Sequence, residues 1–233
     1  MAKRLKDTLY EKIMDWRPRT ERLMKEYGNV VVDQVTIGQI LGGMRGIKSL
    51  VSDISYLDPQ EGIRYRGYTL PEVFEKLPKA KGGNMPLVEG LFYLLLTGDM
   101  PTEEQAAEVA DEFNKRRILP RFIYELIDAM PCCSHPMTIF STAILTLHRE
   151  SFFTKKYHAG INKLDYWDPT YEDSLNLLAK LPEIATYTYA KLYRDGKRIQ
   201  SNPNLDFGGN FAHMMGIGKP YDDVSRMHFI VHA

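Results

Sequence analysis

The sequence predicts an all-α protein with one small β-hairpin near residues 55–66, on three observations. Apolar residues recur at helical spacing along most of the chain. Two capping boxes, Thr69 with Glu72 and Thr102 with Gln105, mark helix starts. The short β-prone runs Ser55 to Leu57 and Ile63 to Tyr65 flank Asp58-Pro59-Gln60-Glu61-Gly62, which has the chemistry of a tight reversal. Pro59 presets φ, the Asp58 carboxylate can accept from backbone N–H groups, and Gly62 takes a left-handed exit. Strand alternation puts Arg64 and Arg66 on one face, with Ile63 and Tyr65 on the other.

In chain order, Leu5, Leu9, Ile13 and Trp16 form an amphipathic helix that Pro18 interrupts. Arg19 to Tyr27 continues helically to a left-handed stop at Gly28. Val30 to Val35 is β-branched and reads as a strand or extended segment. Thr36 caps the short run Ile37 to Leu41, and Gly42-Gly43-Met44-Arg45-Gly46 follows as an irregular glycine turn. Leu70 to Leu77 is a helix closed by Pro78. Pro86 opens an apolar helix with Leu87, Leu91, Leu94 and Leu95 on one side, ended by Gly98. Thr102 starts the next, whose buried stripe is Ala106, Val109, Ala110 and Phe113. Pro120 opens another to about Met130. His135-Pro136 begins a helix with Met137, Phe140, Ile144 and Leu147 inward and the small residues Ser141, Thr142 and Ala143 between them. Asp168-Pro169 starts a long helix to about Arg194, kinked at Pro182. Phe207 to Met215 is helical, ended by Gly216-Ile217-Gly218, and Tyr221 to His232 forms the last helix. The total is about eleven helices and one hairpin.

Composition narrows the function classes. The 233 residues are 44% hydrophobic and 26% charged, as in a folded globular chain. The 30 basic and 30 acidic side chains cancel, so no global field recruits nucleic acid. No apolar stretch approaches the ~18 residues of a membrane span, so no membrane partner is expected. The two cysteines are adjacent, Cys132-Cys133, which gives no disulfide framework and suits a reducing compartment. Residues 1–16 alternate bases with acids, which counts against a secretory signal and a mitochondrial presequence. A cytoplasmic location is the expectation.

Candidate chemistry is sparse. His228 and His232 lie four apart and could share a helix face, but no acid stands between them and no third ligand is evident, so no metal is expected. Cys132, Cys133 and His135 read as a buried helix entrance, and a nucleophilic Cys–His pair there has no local signature. Tyr65 and Tyr68 beside Arg64 and Arg66 are either a binding surface or arginine–aromatic packing. On spacing alone, Arg45 is a solvated arginine in a flexible glycine turn.

Several stretches go further in their wording and order. Gly42-Gly43-Met44-Arg45-Gly46, the run Leu57 to Tyr68, Pro86-Leu87-Val88-Glu89-Gly90-Leu91-Phe92, and Thr97-Gly98 with Pro101 to Gln105 come first. His135-Pro136-Met137, Tyr171-Glu172-Asp173, Ala179-Lys180-Leu181-Pro182, Asn210-Phe211 and His232 follow. Together they resemble the citrate synthases of the eukaryotic-like class, from about residue 30 onward. The resemblance implies the multi-helical large-domain fold of that family, residues 1–233 being a partial large domain. The small domain that closes over CoA is absent from this stretch. It also implies a homodimer, or pairing with a C-terminal half, that condenses acetyl-CoA with oxaloacetate at the entry of the tricarboxylic acid cycle. No prosthetic group is implied; acetyl-CoA and CoA are substrate and product.

Family members are nearly twice as long as these 233 residues. The later catalytic histidine, the catalytic aspartate and the substrate-gripping arginines of the family have no counterpart here, so inactivity without a remainder is expected. Residue by residue, the resemblance gives Arg45 a role at the CoA phosphates. It places Lys163 where a second phosphate-contacting arginine reaches across the dimer. It makes His232 the first histidine of the active-site run, lining the site as support. The Pro136 and Pro169 helices resemble those of the family's dimer interface. Two other readings remain, a non-catalytic structural remnant and a 2-methylcitrate synthase that takes propionyl-CoA.

Overall fold

Helix-forming segments with apolar stripes need partners, and in the computed structural model, which describes residues 3–47 and 50–216, they find them around one long helix. The helices are α1 (Leu5–Tyr27), α2 (Ile37–Leu41), α3 (Leu70–Lys76), α4 (Val88–Thr97) and α5 (Glu103–Arg116). Then come α6 (Arg121–Ala129), α7 (Pro136–Thr146), α8 (Phe152–His158), α9 (Trp167–Tyr193) and α10 (Phe207–Met215). Strands β1 (Ser55–Asp58), β2 (Gly62–Tyr65) and β3 (Tyr68–Thr69) form an antiparallel sheet in sequence order. The fold is therefore mainly helical with one small sheet, as the sequence predicts.

Helix α9 is the spine, with α5, α7, α8 and α10 packed on it. Its Tyr171, Leu175 and Ala179 meet Leu5 of α1, Tyr93 of α4, and Val109 and Phe113 of α5 in one core. Farther along α9, Ile184 joins Ile123 and Ile127 of α6 and Ile139 and Ala143 of α7 in a second. A third core sets Val73 and Leu77 against Met85, Leu91 and Leu94, with Tyr65 and Tyr68 of the sheet over it. Each fully buried aliphatic chain contributes about 1.5–3 kcal/mol of transfer free energy.

Local chemistry sets the hairpin and the caps. Asp58 Oδ1 accepts from the N–H groups of Gln60 and Glu61, both at 2.8 Å. Gly62 exits with φ +94°, which an L side chain seldom adopts. Asp58 pairs with Gly62 and Ser55 with Tyr65 in register. Both predicted capping boxes are present, and Thr36 with Gln39 makes a third on α2.

Several elements depart from expectation. Pro18 does not interrupt α1; it lies exposed inside one continuous helix, where water can replace the single backbone bond it removes. Gly28 ends α1 in a right-handed conformation, φ −60°, not a left-handed one. Val30 to Val35 is irregular, with Val31 78% exposed, because no neighbouring strand pairs with it among the described residues. Pro86 precedes α4 rather than opening it, since it bridges back to Lys79 and Leu87 becomes the N-cap. Helix α7 buries Ile139 and Ala143, and the 3₁₀ turn after it buries Leu147 as expected, while Met137 is exposed. Helix α8 was not expected, although Ser151 caps it, its Oγ accepting from Thr154 N–H at 3.0 Å. Its start is also held from α9, where Asp173 accepts from Ser151 Oγ at 2.6 Å and from the N–H groups of Phe152 and Phe153. The expected helix Tyr221 to His232 lies outside the described residues.

Candidate functional site

The glycine turn after α2 is built to present its arginine. Helix α2 has no buried residue, so its capping box and the turn itself carry the geometry. Met44 N–H donates to the Gln39 carbonyl at 2.8 Å and Gly43 N–H to that of Ile40 at 3.2 Å. Gly43, Met44 and Gly46 all have positive φ (81°, 65° and 71°). A left-handed methionine is a strained feature of the sort that collects at ligand sites. Arg45 stands exposed within this run, in no ion pair among the described residues. A guanidinium on open glycine backbone suits two oxygens of a phosphate.

Lys163 sits in a 3₁₀ turn, Lys163–Asp165, between α8 and α9. Asn162 Oδ1 accepts from Leu164 N–H at 2.9 Å, and Arg17 of α1 donates to the Leu164 carbonyl, so the turn is pinned from both sides. Lys163 is exposed. No hydrogen bond or ion pair joins it to the Arg45 turn among the described residues. His232 and His228 lie outside the described residues.

The two hairpin arginines part company. Arg64 stays on the strand and binds Glu61 (2.8 and 2.6 Å) and the Gly67 carbonyl. The hydrogen bonds and charge of Arg64 hold the Glu61 carboxyl below the usual carboxylate range. The Asp58 carboxyl is likewise held low, by the N–H groups of Glu61 and Gln60. Arg66 has φ +49°, which breaks the alternation and turns it inward. Its Nε and Nη2 donate to the Leu95 carbonyl (2.9 and 2.7 Å), Nη2 also reaches Leu96, and Nη1 pairs with Asp53 at 2.8 Å. Lys76 lies over the Tyr68 ring at 4.9 Å. Among the described residues neither arginine lies over a tyrosine ring; both are held by carboxylates and backbone carbonyls instead. Sequence reasoning missed Arg66 as the junction of α4, the hairpin and the segment leading from Arg45; its only local signal is the following Gly67.

Cys132 and Cys133 are exposed rather than buried at a helix entrance. They lie in the connection between α6 and α7, at the centre of a turn that Ser134 N–H closes on the Pro131 carbonyl. His135 caps α7 through Nδ1, which accepts from Met137 N–H at 3.2 Å, and that ring nitrogen is not available as a base toward either thiol. Among the described residues no group of three or more His, Cys, Asp and Glu could hold a metal. Nor is any helix long and apolar enough to cross a membrane.

Comparison with known proteins gives one consistent family. The family model for "Citrate synthase, C-terminal domain" matches residues 43–233. "Citrate synthase, mitochondrial" from Aspergillus niger is 47% identical over 234 aligned residues, covering 100% of this chain and 49% of the relative. "2-methylcitrate synthase, mitochondrial" from Yarrowia lipolytica is 46% identical, over 98% of this chain and 50% of its own. The chain thus spans about half the length of the curated relatives it matches. Among solved structures, citrate synthase from Pyrobaculum aerophilum superposes with a TM-score of 0.70 at 24% identity, over 87% of this chain and 51% of that one. That likeness speaks to the fold. Both relatives carry mitochondrial names, which overturns the cytoplasmic location expected from the sequence. The acids of residues 1–16 that argued against a presequence belong to a folded helix, with Leu5 in the core, and carry no information on targeting.

Proposed function

Because the chain belongs to the citrate synthase family, we propose that it supplies part of the helical domain of an enzyme condensing acetyl-CoA with oxaloacetate to citrate and CoA. The observation that carries this reading is 47% identity along the whole chain to a protein named for that activity. In this reading the described residues are chiefly scaffold. Arg45 grips CoA phosphate oxygens, Lys163 adds a second cation there without the guanidinium fork, and His232 lines the site. Proton abstraction from the acetyl methyl needs a positioned carboxylate base and an imidazole donor to the enolate oxygen, and those come from the remainder of the enzyme. A mitochondrial location goes with this reading.

The partner is a second copy meeting across α7 and α9. Met137 (56% exposed) and Leu145 (75%) of α7 stand in the open with Leu177 of α9, and large apolar patches seldom persist on monomers. Sedimentation of the full protein as a monomer at micromolar concentration would remove that part. The Yarrowia relative, at nearly the same identity, keeps 2-methylcitrate formation as a second reading. Competition between acetyl-CoA and propionyl-CoA in the full enzyme separates the two. A kcat/KM preference for acetyl-CoA supports citrate synthesis, and the reverse preference supports 2-methylcitrate.

A further inference from the structure

We propose that Cys132 and Cys133 form a two-thiol site for a trivalent arsenical carrying one organic substituent. The two are the only cysteines in the chain, and both are free and exposed. Ser134 N–H donates to the Pro131 carbonyl at 3.0 Å, so the cysteines occupy the two central positions of a β-turn. The turn is held at both ends. On the α6 side, Lys191 Nζ donates to the carbonyls of Ile127 (2.6 Å), Asp128 (2.9 Å) and Met130. On the α7 side, His135 caps and Pro136 opens the helix. A pair presented this way loses less freedom on binding than one on a free chain.

The ligand class follows from what the pair can and cannot do. Neighbouring Cα atoms lie about 3.8 Å apart, short of the roughly 4.4–6.8 Å of ordinary disulfides, so closing an S–S bond here is strained. A larger bridging atom relieves that constraint. Zinc in structural sites takes four ligands and inorganic arsenite is held most firmly by three thiolates, but the chain has only two thiols. His135 Nδ1 is spent on Met137, and no cluster of three ligands exists among the described residues. A monosubstituted trivalent arsenical needs two sulfurs. Each thiol gives up its proton, the arsenic oxygen departs as water, two As–S bonds form, and no oxidation state changes.

The test is phenylarsine oxide on the folded full chain, read by intact mass and by competition with thiols. The expected product is one arsenical per chain with loss of one water, resistant to excess monothiol and released by a dithiol. Cys132→Ser and Cys133→Ser, both at exposed positions, should each weaken retention by about 10²-fold, the usual gain from joining two contacts. Absence of the adduct, or a single variant that holds it as firmly as wild type, overturns the proposal. So does equal retention by urea-unfolded protein, which would remove the role of the fixed turn.

Discussion

Replacing Arg66 with alanine separates structural from ligand-binding arginines. Its side chain is 15% exposed and donates three hydrogen bonds to the carbonyls of Leu95 and Leu96, in the last turn of α4. Those carbonyls have no intrahelical donor and sit at the negative end of the helix dipole. Losing a charged donor from such acceptors costs about 1.5–3 kcal/mol. The Asp53 pair adds only ~0–1 kcal/mol, because Asp53 is half exposed. Together these give a destabilisation of about 2–3 kcal/mol for Arg66→Ala. Arg66→Gly breaks the same bonds but relieves the left-handed φ of +49°, a strain of about 1 kcal/mol. The glycine variant should therefore be milder by about 0.5–1 kcal/mol. Urea unfolding at constant m measures both. A loss below about 0.5 kcal/mol for alanine, or a glycine variant worse than alanine, refutes the assignment.

Leu175, fully buried on α9 in the first core, should cost about 2–5 kcal/mol on truncation to alanine. A loss near that of an exposed site such as Leu145→Ala would mean the spine is misplaced. Acid sensitivity should track Glu172. Burial pushes its carboxyl up, but bonds from Lys6 and Arg116 outweigh that and hold it below its ordinary value. A lowered folded value gives stability that is complete above the unfolded carboxyl range, near pH 4.3, and lost as pH falls through the folded value. Glu108, raised by burial, works in the opposite sense and gains stability as pH falls. Glu172→Gln should flatten the decline of unfolding free energy between about pH 5 and 3; an unchanged slope would count against the ion pair. Arg45→Ala in the completed enzyme should weaken CoA binding by about tenfold, ~1.4 kcal/mol, in a calorimetric titration. Equal affinity would return Arg45 to a solvated turn.

What could be read from the sequence was what sequence neighbours decide among themselves. The Asp58 to Gly62 reversal and the Thr69 and Thr102 caps are closed by groups within four residues of one another, and all three formed as inferred. At the start of α8 the Ser151 cap on Thr154 N–H is local, but the N–H groups of Phe152 and Phe153 are taken up by Asp173, twenty-two positions beyond Ser151 and outside any local window. Arg66 looked like a strand residue until its backbone turned left-handed to reach α4. Met137 and Ile139 are equally apolar, and only the positions of α6 and α9 decide which is buried. The exposure of Cys132 and Cys133 is a tertiary outcome of the same kind. At the site, the glycine setting of Arg45 was legible. The phosphate role proposed for it came from resemblance, because an exposed turn carries no imprint of what it binds.

Release of free CoA thiol from acetyl-CoA plus oxaloacetate tests the central claim most directly. The assay compares residues 1–233 alone with the same residues continued by the second half of the Aspergillus niger relative. The expected result is no release from the isolated stretch and turnover within the ordinary enzyme range, roughly 1–10³ per second, from the joined protein. Turnover by residues 1–233 alone, or a folded, CoA-binding fusion that releases no thiol, would contradict the assignment of this chain as the scaffold part of a citrate synthase.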